Sequence, residues 1–381
     1  MTPKDYLTNK NFCPMPWTGL MYNFDGDVKN CIRSSAAIGN ISENSIEEIL
    51  NGKLNLDAQQ NILANQPVQS CSPCRELEKN KTGFDIISDR VFYMRELKTV
   101  PMQTYQHGNH DLHTIDVRWS NLCNFACVYC TPSFSTKWQQ ELKVHIPVPA
   151  ESQLEQFKSY IFSNVRQLKH VYLAGGEPLL MKQNLELLEL LKKENPEVHI
   201  RINTNLSKVD TKIFEKICEF KNVHWTVSVE TMQQEFEYVR FGGTWTDFLE
   251  NLQIIRQLDH KISFNMLHFL LNYLSVFDCV DFLQGIGFHS NSFIIGPLLQ
   301  PEYLNIRHLP SSVLQSVESK LQDRINSHPG FLLEESYQNM LAYIQQPFDK
   351  NLQQSLTRLS QLDQRRNIDS RSIFTEFYKL T

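Results

Sequence analysis

With 381 residues, 41% of them hydrophobic and 21% charged, the chain is long enough to bury at least one large core and has an ordinary globular composition. Its formal charge of −5 argues against the broad basic footprint of a nucleic-acid-binding domain, and nucleic acid is not an expected partner. No apolar run approaches the roughly 18 residues that span a bilayer, and the start MTPKDYLTNKNF lacks the basic and apolar segments of a signal peptide. A cytoplasmic chain with no membrane partner is expected. In that reducing setting its nine cysteines point to metal or redox chemistry, not to disulfides.

The first chemistry-bearing residues are Cys13, Cys31, Cys71 and Cys74. Phe24-Asp25-Gly26-Asp27 reads as a turn between WTGLMY and DVKNC, and the hairpin it closes brings Cys13 towards Cys31. Cys71-Ser-Pro-Cys74 adds a short knuckle. Four thiolates suit tetrahedral zinc as well as an iron–sulfur cluster, so spacing alone leaves both open. The polar run PMQTYQHGNHDLH at 101–113 reads as a linker.

From about residue 114 strands and helices alternate. Strands are predicted at 114–119, 171–174, 198–203, 223–229, 262–267 and 292–296, with amphipathic helices at 154–165, 184–194, 210–220 and 245–258. Six such units imply a parallel sheet with right-handed crossovers but are too few for a closed eight-stranded barrel. The fold class is therefore α/β, a partial (β/α)6 barrel. Residues 1–100 form a small N-terminal module, 112–305 the barrel, and 306–381 a helical C-terminal region without strand signals. In such sheets the ligand site lies at the carboxyl ends of the strands.

Cys123-Asn-Phe-Ala-Cys127-Val-Tyr-Cys130 directly follows the first of these strands. Three thiolates so closely spaced can hold three irons of a cubane cluster and leave the fourth open. Zinc is the rival, but structural zinc closes its shell with a fourth ligand, and the nearest downstream candidate is the distant His145. Gly175-Gly176-Glu177-Pro178 follows the second strand. Two glycines allow close backbone approach, and Glu177 can accept hydrogen bonds from a cationic amino group, while Pro178 also suits a plain helix start.

The CxxxCxxC loop with Tyr129 before its last cysteine, followed on the next strand by GGEP, resembles the signature of the radical S-adenosylmethionine (radical SAM) superfamily over roughly residues 112–300. The resemblance implies that Cys123, Cys127 and Cys130 hold a 4Fe–4S cluster. It further implies that Tyr129, Gly175, Gly176, Glu177, Pro178, Asn203, Ser228 and Glu230 line the cofactor site, and that Arg240 pairs with the methionine carboxylate. The implied chemistry is reductive cleavage of S-adenosylmethionine to a 5′-deoxyadenosyl radical that abstracts a substrate hydrogen. The electron comes from an external one-electron reductant of flavodoxin or ferredoxin type. The pattern C-x12-G-x4-C, a gap, then CxxC resembles the twitch module, the shortened relative of SPASM. It implies a second 4Fe–4S cluster on Cys13, Cys31, Cys71 and Cys74 that relays an electron. The familiar modules follow the barrel, whereas this one precedes it. An oxidoreductase acting on a small molecule or a peptide is the implied enzyme, and a zinc- or cluster-binding interaction protein on an inactive barrel is the alternative.

Other residues are given structural roles. His107, His110 and His113 are expected in a solvated loop, Cys218 and Cys279 on apolar helix faces, and His268 and His289 as core histidines near strand ends.

Overall fold

The computed structural model describes residues 9–78, 88–327 and 329–380; residues 1–8, part of the stretch weighed for a signal peptide, lie outside them. Packing divides the chain into two compact units. The first comprises Met1–Leu122, His145–Ile202 and Asp210–Val223, and the second Cys123–Val144, Asn203–Val209 and His224–Thr381.

In the first unit the expected hairpin forms, with β1 (Gly19–Tyr22) antiparallel to β2 (Asp27–Lys29) through Met21↔Lys29 and Tyr22↔Val28. A short β3 (Gly39–Asn40) pairs β2. Strands β4 (Thr114–Val117), β5 (His170–Leu173) and β6 (His199–Thr204) run parallel, giving the order β3-β2-β1-β4-β5-β6. β1 pairs in parallel with β4, from Gly19↔Thr114 to Tyr22↔Val117. The N-terminal module is thus hydrogen-bonded into the edge of the sheet although it precedes that sheet in sequence.

Alternation fixes the two faces of β4–β6. Ile115, Val117, Val171, Leu173, Ile200 and Ile202 are at most 1% exposed and point to one side. The helix Glu151–Ser163 packs there, its Phe157 ring 4.6 Å from Tyr22 and 6.2 Å from Trp119. The opposite face carries Asp116, Tyr172 and Arg201, which the register places side by side.

The segment 101–113 is no free linker. Asp111 and His113 donate backbone N–H groups to the carbonyls of Trp17 and Thr18, both at 2.8 Å, and the Trp17 indole donates to Gln106 O at 2.8 Å. Its polarity reflects backbone pairing with the N-terminal segment, which composition cannot show. His107 is exposed, but the His113 ring is buried between Asp111 (3.0 Å) and Gln167 O (2.8 Å). His110 bonds Tyr160 at 3.2 Å, and burial pushes its imidazole down to about 4.

The second unit carries the parallel strands β7 (Val223–Ser228), β8 (Lys261–His268) and β9 (Phe293–Pro297), in that order. Helices Gln233–Val239, Trp245–Arg256 and Ser275–Gly285 connect them. Strands β4–β9 account for all six predicted strands, and the α/β class without eight-stranded closure is as expected. The C-terminal region is helical, with Ser311–Ser327, Leu332–Ile344 and Leu352–Arg366 as its longer members. Cys279 is fully buried as expected, whereas Cys218 is only half-buried. His268 is buried as expected and bonds Tyr273 O through Nε2 at 3.1 Å, whereas His289 is exposed, not a core histidine, and accepts from Asn291 N at 3.3 Å.

Among the described residues no helix is long and apolar enough to cross a membrane.

Candidate functional site

The three-cysteine loop belongs to the second unit and is held from several sides. Ala126 and Val128 donate backbone N–H groups to Phe241 and Val239 at 2.8 and 2.9 Å. Trp138 Nε1 donates to Cys127 O at 2.8 Å, and Ser135 Oγ to Phe125 O at 2.5 Å. Arg366, 240 residues downstream of Ala126, donates to its carbonyl at 2.7 Å. Its guanidinium also bonds Glu141 and lies 4.6 Å from the Trp138 ring and 4.2 Å from the Phe241 ring. Cys127 is buried, while Cys123 and Cys130 are partly open. Burial, reinforced by Cys127, pushes the Cys130 thiol up to about 12, and burial likewise raises Cys127. Such thiols stay protonated unless a metal takes the thiolate, the chemistry expected of cluster ligands.

Beside this loop lie two polar groups, of which only the second contains predicted cofactor residues. In one, Asn205 Nδ2 lies 3.9 Å from Cys123 Sγ and donates to Asn124 Oδ1 at 3.2 Å, and Ser207 joins the same pair. In the other, Glu230 accepts from Arg240 Nε and Nη2 at 2.8 and 2.7 Å and from the Tyr129 hydroxyl at 3.0 Å. Arg240 and Glu230 are 3% and 1% exposed, so this fork is a buried ion pair. The carboxylate expected opposite Arg240 is thus supplied by Glu230 of the chain itself. Asn203, at the end of β6, has a buried Oδ1 with no partner among the described residues, an acceptor of the kind a ribose hydroxyl can use. Ser228 ends β7 opposite Asn265.

Gly175-Gly176-Glu177-Pro178 lies in the first unit, folded against residues 118–122. Gly176 and Glu177 donate backbone N–H groups to the carbonyls of Ser120 and Leu122 at 3.3 and 2.7 Å. A Cβ on Gly176 would meet Leu122 O at 2.3 Å, and Gly175 has φ +112°, so both positions require glycine. Pro178 opens a 3₁₀ turn, where its fixed φ suits the first position. Glu177 is fully buried, and its carboxylate accepts from Leu179 N at 3.1 Å. Its side chain therefore braces the turn, and the segment presents backbone.

The second cysteine set converges as its spacing suggests. Cys13, Cys31, Cys71 and Cys74 line one cavity together with Arg33, Arg75, Asp89, Arg90 and Tyr93. Burial, then Cys71, pushes the Cys31 thiol up to about 12; burial, then Cys71 and Cys31, also raises Cys13 well above its ordinary value. Four mutually interacting thiols around one cavity fit a fully thiolate-ligated group. Among the described residues no three His, Cys, Asp or Glu side chains close on a single point as for one metal ion. Part of the cavity wall comes from the Ser72–Glu78 and Asp89–Glu96 helices, and Arg90 ties them by pairing with Glu78 at 2.6 Å. The Asp89–Glu96 helix and the contacts of Arg366 were invisible to motif reading, because each works through long-range packing.

A family model for the radical SAM superfamily matches residues 117–283, and one for an iron–sulfur cluster-binding SPASM domain matches residues 13–75. Residues 117–283 are therefore a radical SAM superfamily domain. The first match contains Cys123, Cys127 and Cys130, and the second contains all four N-terminal cysteines. As a radical SAM protein with a SPASM-type domain, it uses 4Fe–4S clusters and S-adenosylmethionine as cofactors. The chain is also similar to GTP 3′,8-cyclase of Sulfurimonas denitrificans, 25% identical over 133 residues, covering 34% of this chain and 37% of the cyclase. It resembles 7-carboxy-7-deazaguanine synthase of Clostridium acetobutylicum at 36% identity over 100 residues, 26% of this chain and 39% of the synthase. These matches span well under half of either relative. A solved structure of anSMEcpe with bound AdoMet aligns at a TM-score of 0.44 and 15% identity, over 56% of this radical SAM chain and 60% of that one.

Proposed function

We propose that the protein is a hydrogen-abstracting radical SAM enzyme whose N-terminal domain carries an electron-relaying auxiliary cluster. Cys123, Cys127 and Cys130 would hold the first 4Fe–4S cluster and Cys13, Cys31, Cys71 and Cys74 the second. Together with S-adenosylmethionine these groups supply a one-electron reductive cleavage that yields a hydrogen-abstracting radical.

The chain's own residues make that chemistry selective. Backbone pairing with Val239 and Phe241, and the contacts of Trp138 and Arg366, hold the cysteine loop in one conformation. The buried Glu230–Arg240–Tyr129 network stiffens the wall beside Cys127, so little reorganisation is needed there. Asn203, Ser228 and the Gly175–Pro178 backbone are the cofactor contacts this reading favours.

The observation that carries the relay is the convergence of four thiols on one cavity. Four thiolates from Cys13, Cys31, Cys71 and Cys74 would leave no open iron for substrate, so the second cluster would supply one-electron redox chemistry beside an external flavodoxin- or ferredoxin-type reductant. The net reaction would be a dehydrogenation or oxidation of a small molecule or a peptide side chain.

The test is electron paramagnetic resonance of the reduced, anaerobically reconstituted chain. Wild type should show two cluster signals, of which S-adenosylmethionine perturbs one. The Cys71→Ala/Cys74→Ala chain should lose the unperturbed signal and still form 5′-deoxyadenosine. Loss of the S-adenosylmethionine-sensitive signal in that variant would overturn the assignment.

A further inference from the structure

We propose that the buried Arg366–Glu141 ion pair sets the reduction potential of the cluster assigned to Cys123, Cys127 and Cys130, its guanidinium end held directly against the cysteine loop. This role deepens the function proposed above and rests on that assignment of the first cluster.

Four successive carbonyls of the cysteine loop each accept a bond from a distant side chain. Ser135 Oγ donates to Phe125 O at 2.5 Å, Arg366 Nη2 to Ala126 O at 2.7 Å, Trp138 Nε1 to Cys127 O at 2.8 Å and the Tyr303 hydroxyl to Val128 O at 3.3 Å. All of these groups belong to the second unit. With its carbonyls tied in this way, the loop has little freedom to relax when the charge beside it changes. Arg366 and Tyr303 lie beyond both family matches, which span residues 117–283 and 13–75. They reach the loop only through the folding of the C-terminal region.

Of the four donors Arg366 alone carries a charge. Its side chain is 1% exposed and that of Glu141 13%. Arg366 Nε lies 3.2 Å from both Glu141 oxygens and Nη2 3.1 Å from Oε2, while the Trp138 and Phe241 rings lie against the guanidinium at 4.6 and 4.2 Å. Water therefore screens this charge little. Nη2 is shared between Glu141 and Ala126 O, which puts the positive charge in contact with the loop one residue from Cys127.

The electrostatic consequence has a definite sign. Reduction adds a negative charge to a thiolate-ligated cluster, so a fixed positive charge nearby favours the reduced state and a negative one opposes it. Net charge, hydrogen bonding and solvent exposure are the terms by which a protein tunes such a cluster. Among the other charges, Arg365 approaches Glu141 only to 3.9 Å and is 42% exposed, so solvent weakens its part. Glu230 and Arg240 neutralise each other within their own fork.

The test is a potentiometric titration of the anaerobically reconstituted full chain, followed through the electron paramagnetic resonance signal that S-adenosylmethionine perturbs. Arg366→Met should make reduction roughly tenfold or more less favourable, a potential about 59 mV more negative for one electron. Glu141→Gln should move the potential the opposite way. A pair that merely braced the loop would shift it in the same direction in both variants. Arg366→Lys should recover part of the loss, and Tyr303→Phe, which breaks a loop bond without removing a charge, should shift the potential far less than Arg366→Met. Circular dichroism and the unperturbed second signal confirm that each variant is folded. Shifts of the same sign in Arg366→Met and Glu141→Gln, a wild-type potential in Arg366→Met, or an equal shift in Tyr303→Phe overturns the role. A wild-type chain without any S-adenosylmethionine-sensitive signal would instead sink the assignment of the first cluster, and this role with it.

Discussion

Breaking the Glu230–Arg240 pair one side at a time should be far more damaging than removing both charges. The two side chains are 1% and 3% exposed and share two charge-assisted bonds of 2.7 and 2.8 Å, with Tyr129 as a third contact. Burial raises the Glu230 carboxyl and Arg240 opposes that rise, so each charge depends on the other. Glu230→Gln strands a buried guanidinium, and Arg240→Met strands a buried carboxylate. Each should cost about 3–5 kcal/mol, a large fraction of a total stability of roughly 5–15 kcal/mol. With Glu230→Gln/Arg240→Met no buried charge remains, and the loss should fall well short of the sum, by about 2 kcal/mol or more. The assay is guanidinium denaturation of the four anaerobically reconstituted chains, followed by far-ultraviolet circular dichroism. Single variants that each lose under about 1 kcal/mol, or a double variant that loses the full sum, would refute the reasoning.

Other outcomes follow from the same contacts. Gly176→Ala puts a Cβ 2.3 Å from Leu122 O, so the turn must shift, and S-adenosylmethionine affinity, read by equilibrium dialysis, should drop at least tenfold. Arg366→Met keeps apolar bulk beside Trp138 and Phe241 but loses the guanidinium's ring contacts and its bonds to Ala126 O and Glu141, and amide hydrogen exchange at 124–130 should rise. Burial holds His268 neutral, with its pKa lowered to about 4 against about 6.5 unfolded. The unfolded chain therefore binds more protons between those values. The contribution, up to about 3 kcal/mol, is complete above pH 6.5 and lost as pH falls towards 4. Replacing His268 by Gln should flatten the melting-temperature change between pH 7 and pH 5, and an unchanged slope would count against it.

Much of the fold was legible because its signals are local. The alternating runs around Ile115, Val171 and Ile200 and the amphipathic helices between them reveal themselves within a dozen residues, and the Gly26 turn announces its hairpin. The Cys123 loop and Gly175–Pro178 were legible for the same reason. What stayed hidden depends on pairing across distance. The parallel contact of β1 with β4 joins segments some ninety residues apart in sequence, and a polar stretch such as 101–113 looks solvated until its backbone finds Trp17 and Thr18. Arg240 shows the limit at the site. Its sequence position suggests a ligand carboxylate, yet Glu230 occupies its fork, because motif order says nothing of which side chains face each other.

The most direct test of the central claim is anaerobic incubation of the reconstituted chain with dithionite and S-adenosylmethionine, with 5′-deoxyadenosine quantified by chromatography. Wild type should form it while carrying about eight irons. Cys127→Ala should form none and carry about four. A wild-type chain that holds zinc in place of iron and yields no 5′-deoxyadenosine would contradict the account.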